Sequence, residues 1–405
     1  MADIPAEVDV AIVGAGPAGL AAATELCRLR AGRVLVVERE AEAGGVPRFC
    51  GHSPYGMREF GRPMLGPGYA RALVARAEAA GAQIATGVTV TALRDGPRLT
   101  VTSDAGTGEV AARLVLLTTG IRETTRAGRM IGGTKPGGVL TTGGLQGLVY
   151  GAGLRPFRRP VILGTELVAF SAILTCRHAG IRPAAMVEPG ARITARHPAG
   201  LLPRLLGLPL HLGTDLAAIE GRERVEAVVL RSGGAERRLE ADGVIVTGRF
   251  RPEATLSREG GLTYDPATGG PEVDEYGRTS DPAIFAAGNL LRPVETAGWC
   301  WGEGRAVAGA MAVALAGALP PPAVRRVART GAIAWVVPQR IAGGCSPALD
   351  TLQMRAARAA SGRLSLSVDG HEAAARALRA LPERRMLLPL PAGTGSPEVR
   401  LEAAP

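Results

Sequence analysis

The stretch VDVAIVGAGPAGLAAATELCRLRAGRVLVVE, Val8 to Glu38, constrains the chain more than any other, because it specifies a strand, a glycine turn, a helix and a second strand in that order. Val8, Val10, Ile12 and Val13 make the apolar run of a buried strand. Gly14-Ala-Gly16-Pro17-Ala18-Gly19 follows where the chain must turn tightly into a helix. Gly14 permits the turn, Gly16 lets backbone approach a pyrophosphate, and Gly19 lets the helix pack close to the strand. The free N–H groups at the helix start face the anion. Val34 to Val37 form the next strand, and Glu38 stands at its end, where a carboxylate accepts a ribose hydroxyl. An acid there selects an adenosine ribose without a further phosphate. A glycine turn alone also occurs with nothing bound, but strand, glycines, helix, second strand and terminal acid in this order specify a dinucleotide site.

The length of 405 residues allows two or three domains, and 46% hydrophobic content is ample for buried cores. The segment MADIPAEVDV carries acids and lacks a basic-then-apolar leader, and the longest apolar stretch, near Val307 to Leu319, is too short to span a bilayer. A soluble, cytoplasmic protein with no transmembrane segment is expected. Cys27, Cys50, Cys176, Cys300 and Cys345 are scattered and never form a C-x-x-C pair, so neither a disulfide framework nor a metal site is indicated. The formal charge of +10 comes from arginines dispersed along the chain, with Lys135 the only lysine. Without a basic block interleaved with aromatics, nucleic acid is not an expected partner. A partner-facing or anion-attracting surface is the alternative use of that charge.

After Glu38, Gly44-Gly45 form a pair where backbone passes close to a bound cofactor or simply turns. The segment from Cys50 through His52 to Gly61 mixes polar, sulfur and aromatic side chains and reads as an irregular active-site loop. A helix is expected from near Pro67 to Ala80, one strand from Gln83 to Leu93 with Val88 and Val90 alternating, and strands at Leu99–Thr102 and Ala112–Leu117, the last ending in Thr118-Thr119-Gly120. A second strand-turn-helix unit begins at Pro160, with a helix to about His178 and a strand Ala184 to Val187 ending in Glu188. It echoes the first incompletely, because Glu166 stands at the second glycine position and Ala169 at the third. Strands at Val225 to Arg231 and Gly243 to Val246 lead into Thr247-Gly248, an echo of Thr119-Gly120. Ile284-Phe-Ala-Ala-Gly288-Asn289 forms a short strand and turn, and a long alanine-rich helix runs from Thr296 to about Ala318 before Pro320. From Gly331 onward the strand-like AIAWVVPQ and RLSLSVDG form a small extra unit, too short to bury much by itself and expected to pack on the main body or on another subunit.

Taken together, these motifs resemble the two-dinucleotide-domain flavoproteins of the pyridine nucleotide-disulfide oxidoreductase superfamily, from about Val8 to Leu319. Within it, GGVPRFCGHSPYGMREFGR and PGGVLTTGGLQGLV are similar to the alpha subunits of opine oxidase, hydrogen cyanide synthase and dye-linked proline dehydrogenase systems, and to relatives paired with glycerol-3-phosphate dehydrogenase-type flavoproteins. The resemblance implies an α/β fold of two Rossmann-like domains, the second inserted in the first. Residues 1–123 and 250–330 would bind FAD, 124–249 would form the second dinucleotide-binding-like domain, and 331–405 a small C-terminal domain. It further implies FAD with its pyrophosphate over Gly14, Gly16, Pro17, Ala18 and Gly19, and its adenosine ribose on Glu38 beside Arg39. Val90 would meet the adenine through its backbone, with Thr119 and Gly120 lining the site and the flavin near Gly44, Gly45, Gly288, Asn289 and Ala297. The superfamily usually has aspartate where this chain has Asn289, whose amide can still bond a hydroxyl.

Two departures limit the chemistry. Superfamily members that reduce disulfides carry a cysteine pair just after the first glycine pair or just before the second dinucleotide unit. Here Cys50 stands alone in the first place and Thr141-Thr-Gly-Gly144 fills the second. Cys50 and His52 are the candidate catalytic pair, nucleophile and base, although a lone cysteine and histidine serve equally as structural residues; Cys300 is open to the same two readings. The second departure is Glu166, whose charge opposes a pyrophosphate by about 1 to 4 kcal/mol per charge pair at about 4 Å. NAD(H) binding is therefore in doubt, with Glu188 placed to hold a ribose. The expected function is an FAD-dependent oxidoreductase, the electron-handling subunit of a heteromeric amino acid, imino acid or polyol dehydrogenase. Its partners would be a second flavoprotein dehydrogenase or oxidase subunit and a small iron-sulfur protein. The alternatives are a stand-alone NADH-dependent flavin reductase and a non-enzymatic flavoprotein scaffold.

Overall fold

A computed structural model describes residues 4–323, 325–391, 393 and 395–403. The first unit comprises β1 (Glu7–Val13), α1 (Pro17–Arg28), β2 (Val34–Val37), α2 (Gly66–Ala79), β3 (Gln83–Ala85), β4 (Thr89–Arg94), β5 (Arg98–Ser103) and β6 (Gly106–Leu117). β3, β2, β1 and β6 lie side by side and parallel, with Val10 opposite both Val34 and Leu114. Their unbroken apolar runs suit strands covered on both faces. β6 is long enough for two tasks, its first half pairing antiparallel with β5 and its second half with β1.

The single strand expected over Gln83 to Leu93 is two strands. Gly87 takes φ +66°, its N–H bonds the Glu40 carbonyl, and the N–H of Val88 bonds the Glu38 carbonyl, so the chain wraps the end of β2 before β4 begins. Those bonds satisfy backbone groups that a continuous strand would have left unpaired there.

The second unit runs through β7 (Ile121–Arg122), β8 (Gly132–Gly133), β9 (Val139–Thr141), α3 (Thr142–Gln146), β10 (Pro160–Leu163), α4 (Leu167–His178), β11 (Ala185–Glu188) and α5 (Leu202–Leu205). It continues with β12 (Leu210–Leu212), β13 (Asp215–Glu220), β14 (Ala227–Ser232), β15 (Ala235–Glu240), β16 (Gly243–Val246) and β17 (Arg251–Pro252). A parallel sheet in the order β12-β11-β10-β16-β9 backs onto an antiparallel layer of β15, β14 and β13. β15, AERRLE, is exposed along most of its length and carries no apolar alternation, which is why it is illegible in the sequence. β7 pairs antiparallel with β17, so the chain enters and leaves this unit side by side.

After α6 (Thr255–Glu259), β18 (Ile284–Ala286) returns to the first sheet, with Ile284 opposite Val115 of β6. A strand from beyond the second unit therefore completes the sheet that the first residues begin. α7 (Ala297–Leu315) then crosses α1, and Gly304 allows it, because a Cβ there would collide with the Ala18 carbonyl. α7 stops earlier than Ala318, since Gly317 takes φ +70° and the Ala318 N–H bonds back to the Val313 carbonyl.

The remaining residues form β19 (Arg325–Arg326), β20 (Ala328–Gly331), β21 (Ile333–Val337), β22 (Arg340–Ile341), β23 (Thr351–Ala356), β24 (Ala360–Val368), β25 (His371–Ala380), β26 (Met386–Pro389) and β27 (Pro397–Ala403). Two sheets, β20-β27-β24-β25 and β21-β23-β26, enclose a core that includes Ile333, Val336, Leu352, Leu364, Leu366 and Leu401. The unit thus buries more than its length suggests. An irregularity between Ile333 and Trp335 sends alternate side chains of β21 outward, and Trp335 and Val337 join the core of the first unit.

A buried ion pair fastens these parts. Arg292, 1% exposed, donates to both carboxylate oxygens of Glu303 on α7, at 3.0 and 2.5 Å, and at 2.8 Å to Gln353 on β23. Glu303 also accepts the Gly288 N–H at 2.7 Å. Arg292→Met strands a buried carboxylate, and we expect it to lower unfolding free energy by about 3 to 5 kcal/mol, read as a lower urea midpoint. The same substitution with Glu303→Leu should lose less than the single variant, because no charge is then left unpaired.

Candidate functional site

The site forms where β1 ends and α1 begins. Gly14 has φ +102°, and a Cβ there would lie 2.7 Å from the Thr118 carbonyl. A Cβ on Gly19 would collide with the Gly14 carbonyl, so α1 touches the end of β1. Gly16 differs, because a Cβ there would meet no protein atom within 4 Å. Nothing in the chain itself demands glycine there, and the turn is left open to a group from outside. Pro17 occupies the first turn of α1, where its missing N–H costs nothing. Gly45, at φ +62°, packs against the Gly16 backbone, and the Gly44 N–H bonds the Ala15 carbonyl at 2.9 Å.

Glu38 is buried at the end of β2, with one oxygen accepting the Ala15 N–H at 2.8 Å and the other the Glu40 N–H at 3.0 Å. The carboxylate is thereby fixed to the glycine turn, and each oxygen keeps a second lone pair for a ribose. Arg39 is exposed and faces Glu40 at 3.6 Å. Val90 is half-buried on β4. Thr118, which the sequence reading passed over for Thr119, donates its hydroxyl to the Gly14 carbonyl at 2.8 Å, while Thr119 bonds the Glu253 carbonyl at 2.7 Å. Gly120 takes φ +75° and its carbonyl accepts the Glu253 N–H, at the passage between the two units. Gly288 sits over Ala18, bringing β18 and α7 to the same turn. Open space over Gly16, a free helix start and a fixed carboxylate one strand away fit FAD in the first unit.

Two features differ from the sequence reading. Asn289 turns its amide to its own chain, donating to the Glu295 carbonyl at 3.1 Å and accepting the Glu295 N–H at 2.6 Å, so it shapes the loop that precedes α7. Cys50 and His52 do not bond one another. The Cys50 sulfur lies 3.8 Å from Gln146 Oε1, Gln146 Nε2 donates to Ser171 Oγ at 2.7 Å, and Ser171 Oγ lies 2.7 Å from His52 Nε2. Ser171 Oγ accepts from Gln146 and shares one further hydrogen bond with His52 Nε2, which holds the imidazole in place. Burial pushes the Cys50 thiol up and the His52 imidazole down, so neither carries charge at neutral pH. The chain of four side chains braces the loop against α3 and α4.

At the start of α7, Ala297 follows Thr296, and the Trp299 ring is flanked by Arg385 at 3.5 Å and Arg58 at 4.4 Å. Gly298 accommodates the Arg58 stem, since a Cβ would lie 2.9 Å from Arg58 Cδ.

The second glycine turn has the same backbone and a different occupant. Gly164 takes φ +122°, and Thr247 Oγ1 lies 2.8 Å from the Leu163 carbonyl, as Thr118 Oγ1 lies 2.9 Å from the Val13 carbonyl in the first unit. Glu166, the residue that caps α4, folds its carboxylate over the turn: Oε1 accepts from Thr247 Oγ1 at 2.5 Å, and a Cβ on Gly164 would lie 2.6 Å from Oε2. Gly248 lies against the same carboxylate. Burial raises the Glu166 carboxyl, opposed by the Thr247 bond, its own N–H and the Arg129 charge. Glu123 is also raised by burial, though the N–H groups of Gly143 and Gly248 donate to it. Glu188 accepts from Thr165 Oγ1 at 2.5 Å and from the Gly190 N–H at 2.8 Å. Glu123, Glu166 and Glu188 thus lie with Arg129 around the second turn.

Among the described residues there is no disulfide, no group of three or more metal-ligating side chains, and no helix long and apolar enough to cross a membrane.

Comparison with known proteins agrees with this geometry. The pyridine nucleotide-disulphide oxidoreductase family is matched over residues 171–308, and the NAD(P)-binding Rossmann-like domain over residues 12–48. A thioredoxin reductase from Treponema pallidum (strain Nichols) is 32% identical over 297 residues, 70% of this chain and 89% of the relative. The fold is similar to a thioredoxin reductase from T. acidophilum (TM-score 0.66, 21% identity, 76% of this chain and 99% of that one). It is also similar to an L-proline dehydrogenase from P. horikoshii (TM-score 0.56, 21% identity, 75% of this chain and 54% of that one).

Gly16→Trp tests the first turn. Position 16 has an ordinary φ of −81° and open space around it, so the variant should purify folded but colourless; a yellow variant would place the cofactor elsewhere. Thiol accessibility tests the cysteines. Burial pushes Cys176 and Cys300 up to about 12 and raises Cys50 and Cys27, leaving Cys345 exposed. Iodoacetamide at neutral pH should label Cys345 first by mass spectrometry, because the thiolate is the reacting form.

Proposed function

The chain belongs to the pyridine nucleotide-disulphide oxidoreductase family and is an FAD-dependent oxidoreductase, and on that premise we propose that it is the electron-handling subunit of a heteromeric dehydrogenase acting on an amino acid, imino acid or polyol. Bound FAD supplies two-electron chemistry in the first unit. The observation that carries the proposal is the Glu166 carboxylate lying over the second glycine turn. It stands at the start of α4, where a nucleotide pyrophosphate would otherwise lie, and its side chain occupies that turn from within the chain. A pyrophosphate brought there has to displace that side chain from its bond to Thr247. Electrons then have to come from a source other than a nucleotide held in the second unit.

The fold does not choose the substrate, since one similar structure is a thioredoxin reductase and another an L-proline dehydrogenase. The cysteine inventory argues against disulfide chemistry. Thr141-Thr142-Gly143-Gly144 occupies the end of β9 and the start of α3, Cys50 bonds Gln146, and all five cysteines among the described residues are unpaired. The residues of this chain therefore bind and orient FAD, seal the second nucleotide site, and leave the oxidation of substrate to a second flavoprotein subunit. A small iron-sulfur protein fits as the third component of such a system.

Co-expression with neighbouring genes, followed by size-exclusion chromatography and a dye-linked activity screen, tests the assembly. A complex in which an amino acid, imino acid or polyol reduces the flavin is the expected result. A chain that stays alone and turns over a substrate unaided would overturn it. Stopped-flow mixing with NADH tests the sealed site separately: reduction of the unmodified protein should be slow, and Glu166→Gly should tighten NADH binding by about tenfold or more. Tight NADH binding by the unmodified protein would instead identify a stand-alone NADH-dependent reductase.

A further inference from the structure

The second unit carries a surface feature that neither the cofactor site nor the sealed turn uses. Between Glu188 and Asp215 the chain has no acidic residue, yet it holds Arg192, Arg196 and Arg204, and seven leucines fall between Leu201 and Leu212. The fold divides those leucines. Pro203 and Leu208 are buried, and Leu202 and Leu210 pack on the core of the second unit. Leu201 and Leu205 are one helical turn apart and point outward, 49% and 79% exposed, and Leu206 follows at 38%. A single tight turn holds the segment, since the N–H groups of Leu206 and Leu208 both bond the Pro203 carbonyl and that of Gly207 bonds the Arg204 carbonyl.

Cations surround this apolar tip. Arg196 and Arg204 are exposed, and among the described residues neither of them makes an ion pair. Gly200 packs against Ile193, which brings the arm bearing Arg192 and Arg196 beside the tip. Arg192 is held by Glu383 of the C-terminal unit through two bonds of 2.8 Å, and the next residue, Arg384, feels the charges of Arg196 and Arg192. Protruding leucines with unpaired arginines around them and no carboxylate in the segment are complementary to a surface that is anionic at the headgroups and apolar beneath.

We propose that the Leu201–Leu206 tip, with Arg196 and Arg204, docks this protein reversibly onto an anionic lipid bilayer. The attachment lies on the surface and spans nothing, and a tip of three leucines gives exchange with the free protein. This reading is independent of the assembly proposed above.

Sedimentation of the holoprotein with sucrose-loaded vesicles tests it. Vesicles of phosphatidylglycerol and phosphatidylcholine should carry the protein down, pure phosphatidylcholine should not, and added salt should release it. Arg196→Gln with Arg204→Gln should weaken partition by about fivefold per arginine, and Leu201→Ser with Leu205→Ser should weaken it at least as much. Both variants should keep their FAD spectrum. A charge-matched control, Arg30→Gln with Arg94→Gln in the first unit, should bind like the unmodified protein. Failure to bind anionic vesicles, retention of binding by both tip variants, or equal loss in the control would each overturn the proposal. So would a protein partner captured by the tip from a preparation that ignores vesicles.

Discussion

The carboxylate of Glu303 joins three parts of the chain that lie far apart in sequence. It accepts the N–H of Gly288, where β18 ends, it is carried by α7, and it holds Arg292, whose other bond reaches Gln353 of the C-terminal unit. An arginine and a glutamate this deeply buried are tolerated only because each finds its partner. The arrangement places Gly288 over Ala18 and sets the start of α7 beside the glycine turn that holds the cofactor. The C-terminal sandwich is therefore bonded to the scaffold of the FAD site, and its Arg385 reaches Trp299 at the start of α7.

The two glycine turns show how one backbone supports opposite outcomes. In both, a strand ends at a glycine of positive φ, a threonine hydroxyl from a neighbouring strand bonds the strand-end backbone, and a helix start points its free N–H groups outward. In the first, the next residue of the motif is Gly16, with nothing near it, and the nearby carboxylate is held back at Glu38 by two backbone N–H groups. In the second, Glu166 puts a carboxylate at the helix start itself. One side chain at one position separates an open turn from one that the chain itself occupies.

Redox chemistry is narrowed in the same way. Cys50 follows the glycine pair at a place suited to chemistry, yet its sulfur faces Gln146 and its loop is braced to α3 and α4. A buried thiol with a raised pKa is a poor nucleophile at neutral pH. The brace through Gln146 and Ser171 also ties the first unit to the second.

The first turn, the parallel strands β1, β2 and β10, the helices that follow them and the position of Glu38 beside the turn were all legible in the sequence, because each depends on spacings of a few residues to about twenty and on local rules of glycine conformation and apolar run length. Glu166 was legible as a departure for the same reason. The break at Gly87, the exposed strand β15 and the core of the C-terminal sandwich were not, since each follows from bonds or packing that no local pattern records. Asn289 and the pair Cys50 and His52 were found by position but not by partner: Asn289 turned to the backbone of Glu295, while Cys50 met Gln146 96 residues away and His52 met Ser171 119 residues away. Sequence by itself determined which turns could form and which charges stood near them. Only the tertiary structure decided where those side chains pointed, because the hydrogen-bonding partners that orient a buried polar group come from whichever distant segment folding brings against it.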